Sequence, residues 1–168
     1  GQTSALYGNS VATAGDVNAD GYSDVIIGAY RWDYGYSDDG VIIILRGNGT
    51  TFSFGAIRNG TQNGEYFGFS VSTAGDVNGD GYSDVIVGGP LYDGGQTDEG
   101  RCYLYLGSAT TIASTPVWTK ESNETGGQFG ISVSTAGDMN ADGYADVLLG
   151  GNYLDSGQTD EGRAFVYL

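Results

Sequence analysis

The chain has 168 residues, including 31 glycines, 13 tyrosines and 2 prolines, a mixture that favours short twisted strands joined by tight turns and predicts an all-β protein. Its 21 acidic and 6 basic residues give a formal net charge of −15, and a surface of this sign repels nucleic-acid phosphates and anionic membranes. The sequence lacks any run of about 18 apolar residues, so we expect no nucleic-acid partner and no membrane insertion.

Three tandem copies of one unit make up the sequence. Residues 14–24 superpose on residues 74–84 and 136–146, at offsets of 60 and 62 residues. A fixed period of this length indicates a repeat architecture. We therefore expect one structural unit in residues 1–60, a second in residues 61–122 and a third in residues 123–168.

Each copy opens with an aromatic–glycine pair and a first strand of small residues. The pairs are Tyr7-Gly8, Phe67-Gly68 and Phe129-Gly130. In the second copy the strand covers residues 70–75, with the sequence Ser-Val-Ser-Thr-Ala-Gly. Small side chains of this kind suit a strand that neighbouring strands crowd near a central axis.

An acidic loop follows the first strand in every copy. In the first copy, Asp16, Asn18, Asp20 and Asp24 occupy positions one, three, five and nine, and position seven offers the Tyr22 carbonyl. Ca²⁺ takes about six to eight oxygen ligands, which carboxylates at alternate positions of one loop supply. The corresponding residues of the other copies are Asp76, Asn78, Asp80, Tyr82 and Asp84, and Asp138, Asn140, Asp142, Tyr144 and Asp146. The sequence therefore predicts three Ca²⁺ sites per chain.

An EF-hand, a simple turn and a magnesium site are the alternatives to this type of calcium loop. An EF-hand is excluded because position twelve is Ile27, Val87 or Leu149 instead of a bidentate glutamate. Simple Asp/Asn turns are the main alternative, although three close carboxylates in one loop would repel each other without a cation. Mg²⁺ suits the loops less well because it demands a small octahedral site. Three Ca²⁺ would change the formal charge of −15 to −9.

A short strand and an aromatic loop come next in each copy. The second strands, predicted at 25–28, 85–88 and 147–150, are too short for core helices and rich in β-branched residues. The loops that follow carry Trp32, Tyr34, Tyr36, Tyr92 and Tyr153. Such rings stack on sugars or pack against a protein partner, and the alternative is that they fill gaps between units. We take them as the candidate ligand surface.

Acidic pairs precede the third strand: Asp38-Asp39, Asp98-Glu99 and Asp160-Glu161. Paired carboxylates serve glycoside cleavage in some enzymes. A catalytic pair is needed only once, however, so we interpret these repeated pairs as turn or arginine-pairing residues. The sequence has no histidine and no Ser/His or Cys/His pair. We therefore predict no catalytic residue.

The third strands, predicted at 41–45, 102–106 and 164–168, are apolar on both alternating faces. This pattern indicates that both faces are covered, as in sheets stacked around an axis. Cys102 lies in one of these strands and is interpreted as a small apolar residue. A more polar fourth strand at 52–58 and 116–121 suits an exposed outer edge, and the third copy lacks this strand.

One family combines these features. The order Phe67-Gly68, then Ala-Gly-Asp-Val-Asn-Gly-Asp-Gly at 74–81, then Val87-Gly88-Gly89-Pro90 resembles the FG-GAP repeat of integrin α-subunit propellers and bacterial surface proteins. The resemblance recurs three times and covers essentially the whole chain. It implies four-stranded antiparallel blades, a metal loop between strands one and two, and ligand surfaces on the opposite face. The first and third copies lack the equivalent of Pro90, which affects one turn.

The expected function is a non-enzymatic, calcium-stabilised binding or adhesion module, extracellular or at the cell surface, for a protein or glycan ligand. A structural or engineered self-assembling repeat protein is the alternative, and a fragment of a propeller hydrolase or lyase is a further one. Three blades cannot close a ring that needs about four to eight. We therefore expect a homodimer with six blades or further blades of a longer chain. Gly1 enters the repeat without a charged and apolar leader segment, which we interpret as processing or as trimming of a longer chain.

Overall fold

The computed structural model describes residues 2–168, which form eleven β-strands and no helix. The first sheet contains β1 (Ser10–Gly15), β2 (Asp24–Ala29), β3 (Val41–Gly47) and β4 (Phe52–Asn59). The second contains β5 (Ser70–Gly75), β6 (Asp84–Gly89), β7 (Arg101–Tyr105) and β8 (Trp118–Glu121). The third contains β9 (Phe129–Gly137), β10 (Asp146–Gly151) and β11 (Arg163–Tyr167). A helix with the length and hydropathy of a membrane span does not occur in these residues.

Each sheet is an antiparallel meander whose strands pair in chain order. The first strands β1, β5 and β9 lie beside one another, and β4 and β8 lie at the far edges of their sheets. No sheet closes on itself within residues 2–168. The chain is therefore a row of partial propeller blades, which confirms the predicted fold class, and each sheet lies inside one of the three predicted segments.

Two apolar cores hold the three sheets together. The first joins the first and second sheets and includes Ile26 and Ile44 of one and Val85 and Val87 of the other. The second core joins the second and third sheets in the same way. Because β6 and β7 lie between the cores, their side chains are buried on both faces, as the sequence predicts. Full burial of one such side chain contributes about 1.5–3 kcal/mol.

The aromatic–glycine pairs fix the junctions between sheets. Phe67 is fully buried and meets the Tyr103 ring edge-on, with 5.1 Å between ring centroids. Phe129 is equally buried and meets Phe165 in the same way at 5.4 Å. Tyr7, the equivalent residue of the first copy, is half-exposed. The aromatic residue of the pair is thus buried in the second and third copies, where the preceding sheet packs against it, and is half-exposed in the first copy.

The neighbouring sheet closely approaches a glycine that lies one residue before the end of β2 and of β6. A Cβ on Gly28 would overlap the carbonyl oxygen of Gly68, and a Cβ on Gly88 would overlap the carbonyl oxygen of Gly130. The Ser10 hydroxyl donates to the Gly68 carbonyl at 2.7 Å. Any side chain at these two glycines would therefore push neighbouring sheets apart.

Candidate metal loops and aromatic face

A β-bulge at the end of the first strand directs the chain into the acidic loop. Pairing with the second strand shifts between Thr13 and Gly15, and the Gly15 N–H donates to the Thr13 hydroxyl at 3.1 Å. Gly15 has a φ of +74°, a conformation that costs glycine little. The second copy repeats the bulge at Thr73 and Gly75. The Thr-Ala-Gly-Asp sequence therefore sets where each loop begins.

Positions one, three and five come together within each loop. Asp16 accepts hydrogen bonds from the Asp20 N–H at 3.1 Å and the Gly21 N–H at 2.8 Å. Asp20 accepts from the Tyr22 N–H at 3.0 Å and from the Asn18 side-chain amide at 2.9 Å. The other two loops repeat these contacts among Asp76, Asn78, Asp80 and Tyr82, and among Asp138, Asn140, Asp142 and Tyr144.

Position nine is buried beneath the loop. The Asp24 carboxylate accepts from the Val17 N–H and the Gly47 N–H, both at 2.9 Å. Asp84 repeats this arrangement, and Asp146 accepts from the Met139 N–H at 2.7 Å. Position nine therefore anchors its loop to the sheet through backbone amides.

The electrostatics of position nine follow from this burial. The pKa of Asp84 is raised to about 6: desolvation by burial is the largest cause, backbone hydrogen bonds from Gly107 and Val77 oppose it, and the charges of Asp80 and Asp76 add to it. The pKa of Asp24 is raised by the same causes. In the first two loops the charges at positions one and five therefore act unfavourably on the carboxylate at position nine, a repulsion that a nearby cation would relieve.

Whether these loops suit a hard cation depends on their donor atoms. Every proposed ligand atom is an oxygen, and hard divalent cations prefer oxygen. Asn18 Oδ1 and Asp146 Oδ1 are buried without any hydrogen-bond donor. Among the described residues, no three carboxylates are close enough to share one metal ion in this conformation. The residues fit Ca²⁺ by chemistry and by their unpartnered oxygens, and the complete ligand set stays a prediction.

Neighbouring loops are bonded to one another across the sheets. The Asp16 carbonyl accepts from the Ser83 N–H at 2.9 Å, and the Asp16 N–H donates to the Ser83 hydroxyl at 3.1 Å. The Asp76 carbonyl accepts from the Ala145 N–H at 2.9 Å. Position one of a loop thus contacts position eight of the next loop. A loop that holds one conformation therefore also stabilises the packing of its sheet against the next sheet.

The candidate aromatic residues lie at the other end of the sheets. They belong to the connections from the second to the third strand, and antiparallel strands place these opposite the acidic loops. Tyr34 is 58% exposed and Tyr36 is 50% exposed, and both border a depression of about 400 Å³ with Asp33 and Asn63.

The remaining aromatic candidates have different surroundings. The Arg101 guanidinium lies 3.5 Å from the centre of the half-buried Tyr92 ring. Trp32 lies with Tyr7 beside the open face of the first sheet, and Tyr153 is exposed in the third. The structure thus brings Tyr34 and Tyr36 together, whereas the other three belong to separate surroundings.

The acidic pairs before the third strand stabilise turns in the first and second copies. The buried Asp39 carboxylate accepts from the N–H groups of residues 34, 35 and 36 at 2.9, 3.0 and 3.2 Å. Glu99 accepts from the N–H groups of Gly94 and Gly95. The predicted turn role is confirmed for Asp39 and Glu99 in the first and second copies, and the alternative of arginine pairing is wrong for the second copy because Arg101 pairs with Glu121.

Sequence reasoning missed one buried acid. Glu65 is fully buried and accepts from the Tyr103 hydroxyl and from the N–H of Thr61 at 2.6 Å. Burial raises the pKa of Glu65, and the hydrogen bonds from Tyr103 and Thr61 lower it. Both residues occur only in the second copy. The equivalents of Glu65 are Ala5 and Gly127, and the equivalents of Tyr103 are Ile43 and Phe165. The change of both residues in the same copy was the sequence signal that could have identified this pair.

Comparison with known proteins agrees with this architecture. A family model described as "FG-GAP repeat" matches residues 7–45, 67–105 and 129–167. Integrin alpha-PS2 of Drosophila melanogaster is 37% identical over 96% of the chain. Human Integrin alpha-7 is 33% identical over 86% of the chain, and human Integrin alpha-IIb is 32% identical over 89%.

The chain spans only 11%, 12% and 15% of the lengths of Integrin alpha-PS2, alpha-7 and alpha-IIb, respectively. It nevertheless covers three successive repeats, each with its aromatic–glycine pair, acidic loop and antiparallel strands. The chain therefore belongs to the FG-GAP repeat family.

Proposed function

We propose that this chain is a calcium-stabilised, non-enzymatic propeller module that binds or adheres to a protein or glycan outside the cell or at its surface. The observation that carries the proposal is the threefold recurrence of one acidic loop, with the same internal hydrogen bonds each time. The integrin alpha names of its relatives support an adhesive role and the extracellular location.

Calcium would be held by positions one, three, five and nine and by the carbonyl of position seven in each loop. The bound ion would supply positive charge to carboxylates that otherwise repel one another. Asp16 and Asp76 are bonded through their backbones to the next loop. Ordering a loop therefore stabilises the stacking of two blades as well as one turn.

A non-enzymatic role is supported by what the acids do. The chain has no histidine, and Asp39 and Glu99 use their carboxylates to close turns. Glu65 is buried against Tyr103 and Thr61, away from solvent. These carboxylates are committed to the fold, which favours a binding role over hydrolysis or elimination.

The ligand surface proposed is the aromatic end of the sheets, centred on Tyr34 and Tyr36. Exposed tyrosines give large, rigid contact area together with a polar hydroxyl group. The depression that they border also contains Asp33 and Asn63, whose side chains hydrogen-bond to hydroxyl or amide groups of a glycan or protein.

We further propose that the open ends of the row of blades are covered by a second copy of the chain. Val11 of the first sheet is 64% exposed, whereas its equivalent Val71 is buried in the first core. Leu148 and Val166 of the third sheet are 38% and 42% exposed, whereas Ile86 is fully buried at the equivalent place in the second. The exposed faces of the first and third sheets thus correspond to the two faces that pack together between neighbouring sheets. The alternative is that further blades of a longer chain cover these exposed faces.

The test is a glycan and protein binding array probed in millimolar Ca²⁺, beside a turnover screen with pooled polysaccharides. Binding is expected to fall at least about tenfold in a Tyr34→Ala/Tyr36→Ala variant, as for contact residues at interfaces. Phe54→Ala is the matched control, since it removes an aromatic side chain that is 60% exposed, about as much as Tyr34, from the outer strand β4 and outside both the aromatic end and the acidic loops. Turnover abolished by one carboxylate substitution would contradict the proposal, and an array without any binder would favour the self-assembly alternative.

A further inference from the structure

Four asparagines of the chain are followed directly by glycine: Asn48, Asn59, Asn63 and Asn78. Glycine has no side chain, so its backbone nitrogen reaches the carboxamide of the preceding residue with little steric hindrance. Attack of this nitrogen on the asparagine Cγ is the ordinary route by which asparagine loses its amide in water. The hydrogen bonds of each glycine N–H and of each carboxamide determine which of the four sites can follow this route in the folded chain.

At three of these sites an acceptor holds the glycine N–H. The N–H groups of Gly60 and Gly64 donate to the carbonyls of residues 40 and 37 at 3.0 and 2.8 Å. The Gly79 N–H donates to the carboxylate of residue 76 at 2.7 Å. Each of these bonds must break before the nitrogen can turn onto the neighbouring Cγ. The Gly49 N–H, in contrast, has no acceptor among residues 2–168.

The Asn48 carboxamide is in addition polarised by three donors. Its Oδ1 accepts from the Thr50 N–H and the Thr50 hydroxyl, both at 3.1 Å, and from the Thr51 N–H at 2.9 Å. Negative charge develops on this oxygen when a nucleophile adds to Cγ, and donors that are already in place stabilise such charge. The carboxamide oxygens of Asn63 and Asn78 each accept one hydrogen bond. The fold therefore activates Asn48 more than these two.

The turn that carries Asn48 is closed by its own residues. The Asn48 N–H donates to the Thr51 carbonyl at 3.2 Å, and β3 and β4 pair up to Gly47 and Phe52 on either side of the turn. Residues 48–51 are exposed, so water has access to the site. The unbonded nitrogen and the polarised carboxamide thus lie together in one well-defined, solvated turn of the first sheet.

We propose that Asn48 is a site of spontaneous covalent modification in the folded chain, at which the side chain loses its amide to water. The Gly49 nitrogen forms a bond to Asn48 Cγ, the bond from Cγ to the amide nitrogen breaks, and the amide leaves as ammonia with the proton of the Gly49 N–H. The resulting cyclic imide is opened by water. Addition at Cγ gives aspartate, and addition at the backbone carbonyl gives isoaspartate, in which the main chain runs through the former side chain.

Either product changes the acidic end of the first sheet. The new carboxylate adds a negative charge to a turn that packs against the Tyr22 ring, next to the first acidic loop. Aspartate keeps the acceptor oxygen that closes the turn, whereas isoaspartate adds a methylene group to the main chain between β3 and β4. The chemical class of the modification is therefore hydrolysis of a side-chain amide, and water is its only co-reactant.

The test is prolonged incubation of the folded chain in millimolar Ca²⁺ at mildly alkaline pH, which favours attack by the amide nitrogen. Peptide mapping by mass spectrometry measures the fraction of acid at each of the four asparagines, and enzymatic methylation of isoaspartate detects that product independently. Asn48 should lose its amide at least about fivefold faster than Asn59, Asn63 or Asn78, as expected when those three sites must first break one hydrogen bond. In urea the four rates should become similar, because the hydrogen bonds are lost.

Variants at the two threonines separate activation of the carboxamide from disturbance of the turn. Thr50→Val removes the hydroxyl donor and keeps both backbone donors, so the loss at Asn48 should slow about two- to fivefold, and Thr50→Ser should restore the original rate. Thr51→Val is the matched control, since Thr51 donates to Asn48 through its backbone N–H, which valine keeps. Equal rates at the four asparagines of the folded chain, the same preference for Asn48 in urea, or equal slowing by both valine variants would overturn the proposal.

Discussion

Removing calcium should destabilise the folded chain by an amount set by the number of loops. A site with a dissociation constant of about 10⁻³ M, in the range of extracellular modules, contributes about 1.4 kcal/mol to the free energy of unfolding at about 10 mM Ca²⁺. Three equivalent loops therefore contribute about 4 kcal/mol, a large share of the roughly 5–15 kcal/mol of an ordinary domain. We expect a chelator to lower Tm by about 10 °C at this chain length.

The assay is thermal unfolding by circular dichroism, with and without excess chelator, on three proteins. Asp80→Ala removes position five of the second loop, where the carboxylate accepts from the Tyr82 N–H. The difference between the calcium and chelator curves should shrink by about one third, to about 3 kcal/mol, because two intact loops remain.

Asp93→Ala is the matched control. Asp93 also accepts one backbone N–H in a turn, from Asp98 at 2.7 Å, but it lies outside the acidic loops. Its loss should cost about 1 kcal/mol in both buffers and leave the calcium-dependent difference at its full size. Identical melting curves with calcium and with chelator in the unaltered chain would refute the reasoning and assign the loops to simple turns.

Three further predictions concern burial, packing and assembly. Burial raises the pKa of Glu65 above its ordinary value of 4.5, so the stability that this group contributes is greatest below that value and falls as pH rises through the folded pKa. The Tm of Glu65→Gln relative to that of the unaltered chain should therefore be higher at pH 7 than at pH 4. A Tm difference that stays constant with pH would contradict this. Ile112 lies in the connection between β7 and β8, is 2% exposed and belongs to the first apolar core. Ile112→Ala should therefore lower the free energy of unfolding in urea by about 2–5 kcal/mol, whereas Val117→Ala in the same connection, where the side chain is 55% exposed, should lower it by under about 0.5 kcal/mol. Equal losses in the two variants would count against a core role for Ile112. Light scattering in millimolar Ca²⁺ should give the mass of a dimer, and a well-folded monomer would rule out obligatory pairing of two copies.

Features repeated in every copy could be predicted from the sequence. The first strands, the acidic loops and the second strands follow from local patterns, such as the bulge-forming Thr-Ala-Gly-Asp sequence and the short β-branched runs. The fourth strand at Phe52–Asn59 was also predicted from its polarity. These elements are determined by the residues that form them, and the threefold recurrence separates such patterns from chance.

Features that depend on contacts between copies could not be predicted. The bond between Glu65 and Tyr103 joins residues 38 positions apart and occurs at a single junction. The insertion of Ile112 depends on a connection with no periodic pattern, and its place became evident only beside Val17 and Ile44. The burial of Asp84 was likewise missed, because ligand spacing alone does not show which carboxylates the sheet covers.

The two junctions between blades use the same bonds at equivalent places. The hydroxyls of Ser10 and Ser70 each donate to a glycine carbonyl of the next sheet at 2.7 Å, and the N–H groups of Phe67 and Phe129 each donate to the preceding acidic turn at 3.0 Å. A duplicated gene segment encoding one more unit would meet a complementary surface on both sides without acquiring any new interaction. We therefore expect tandem duplication of one unit to preserve these bonds, because each unit carries both halves of the junction.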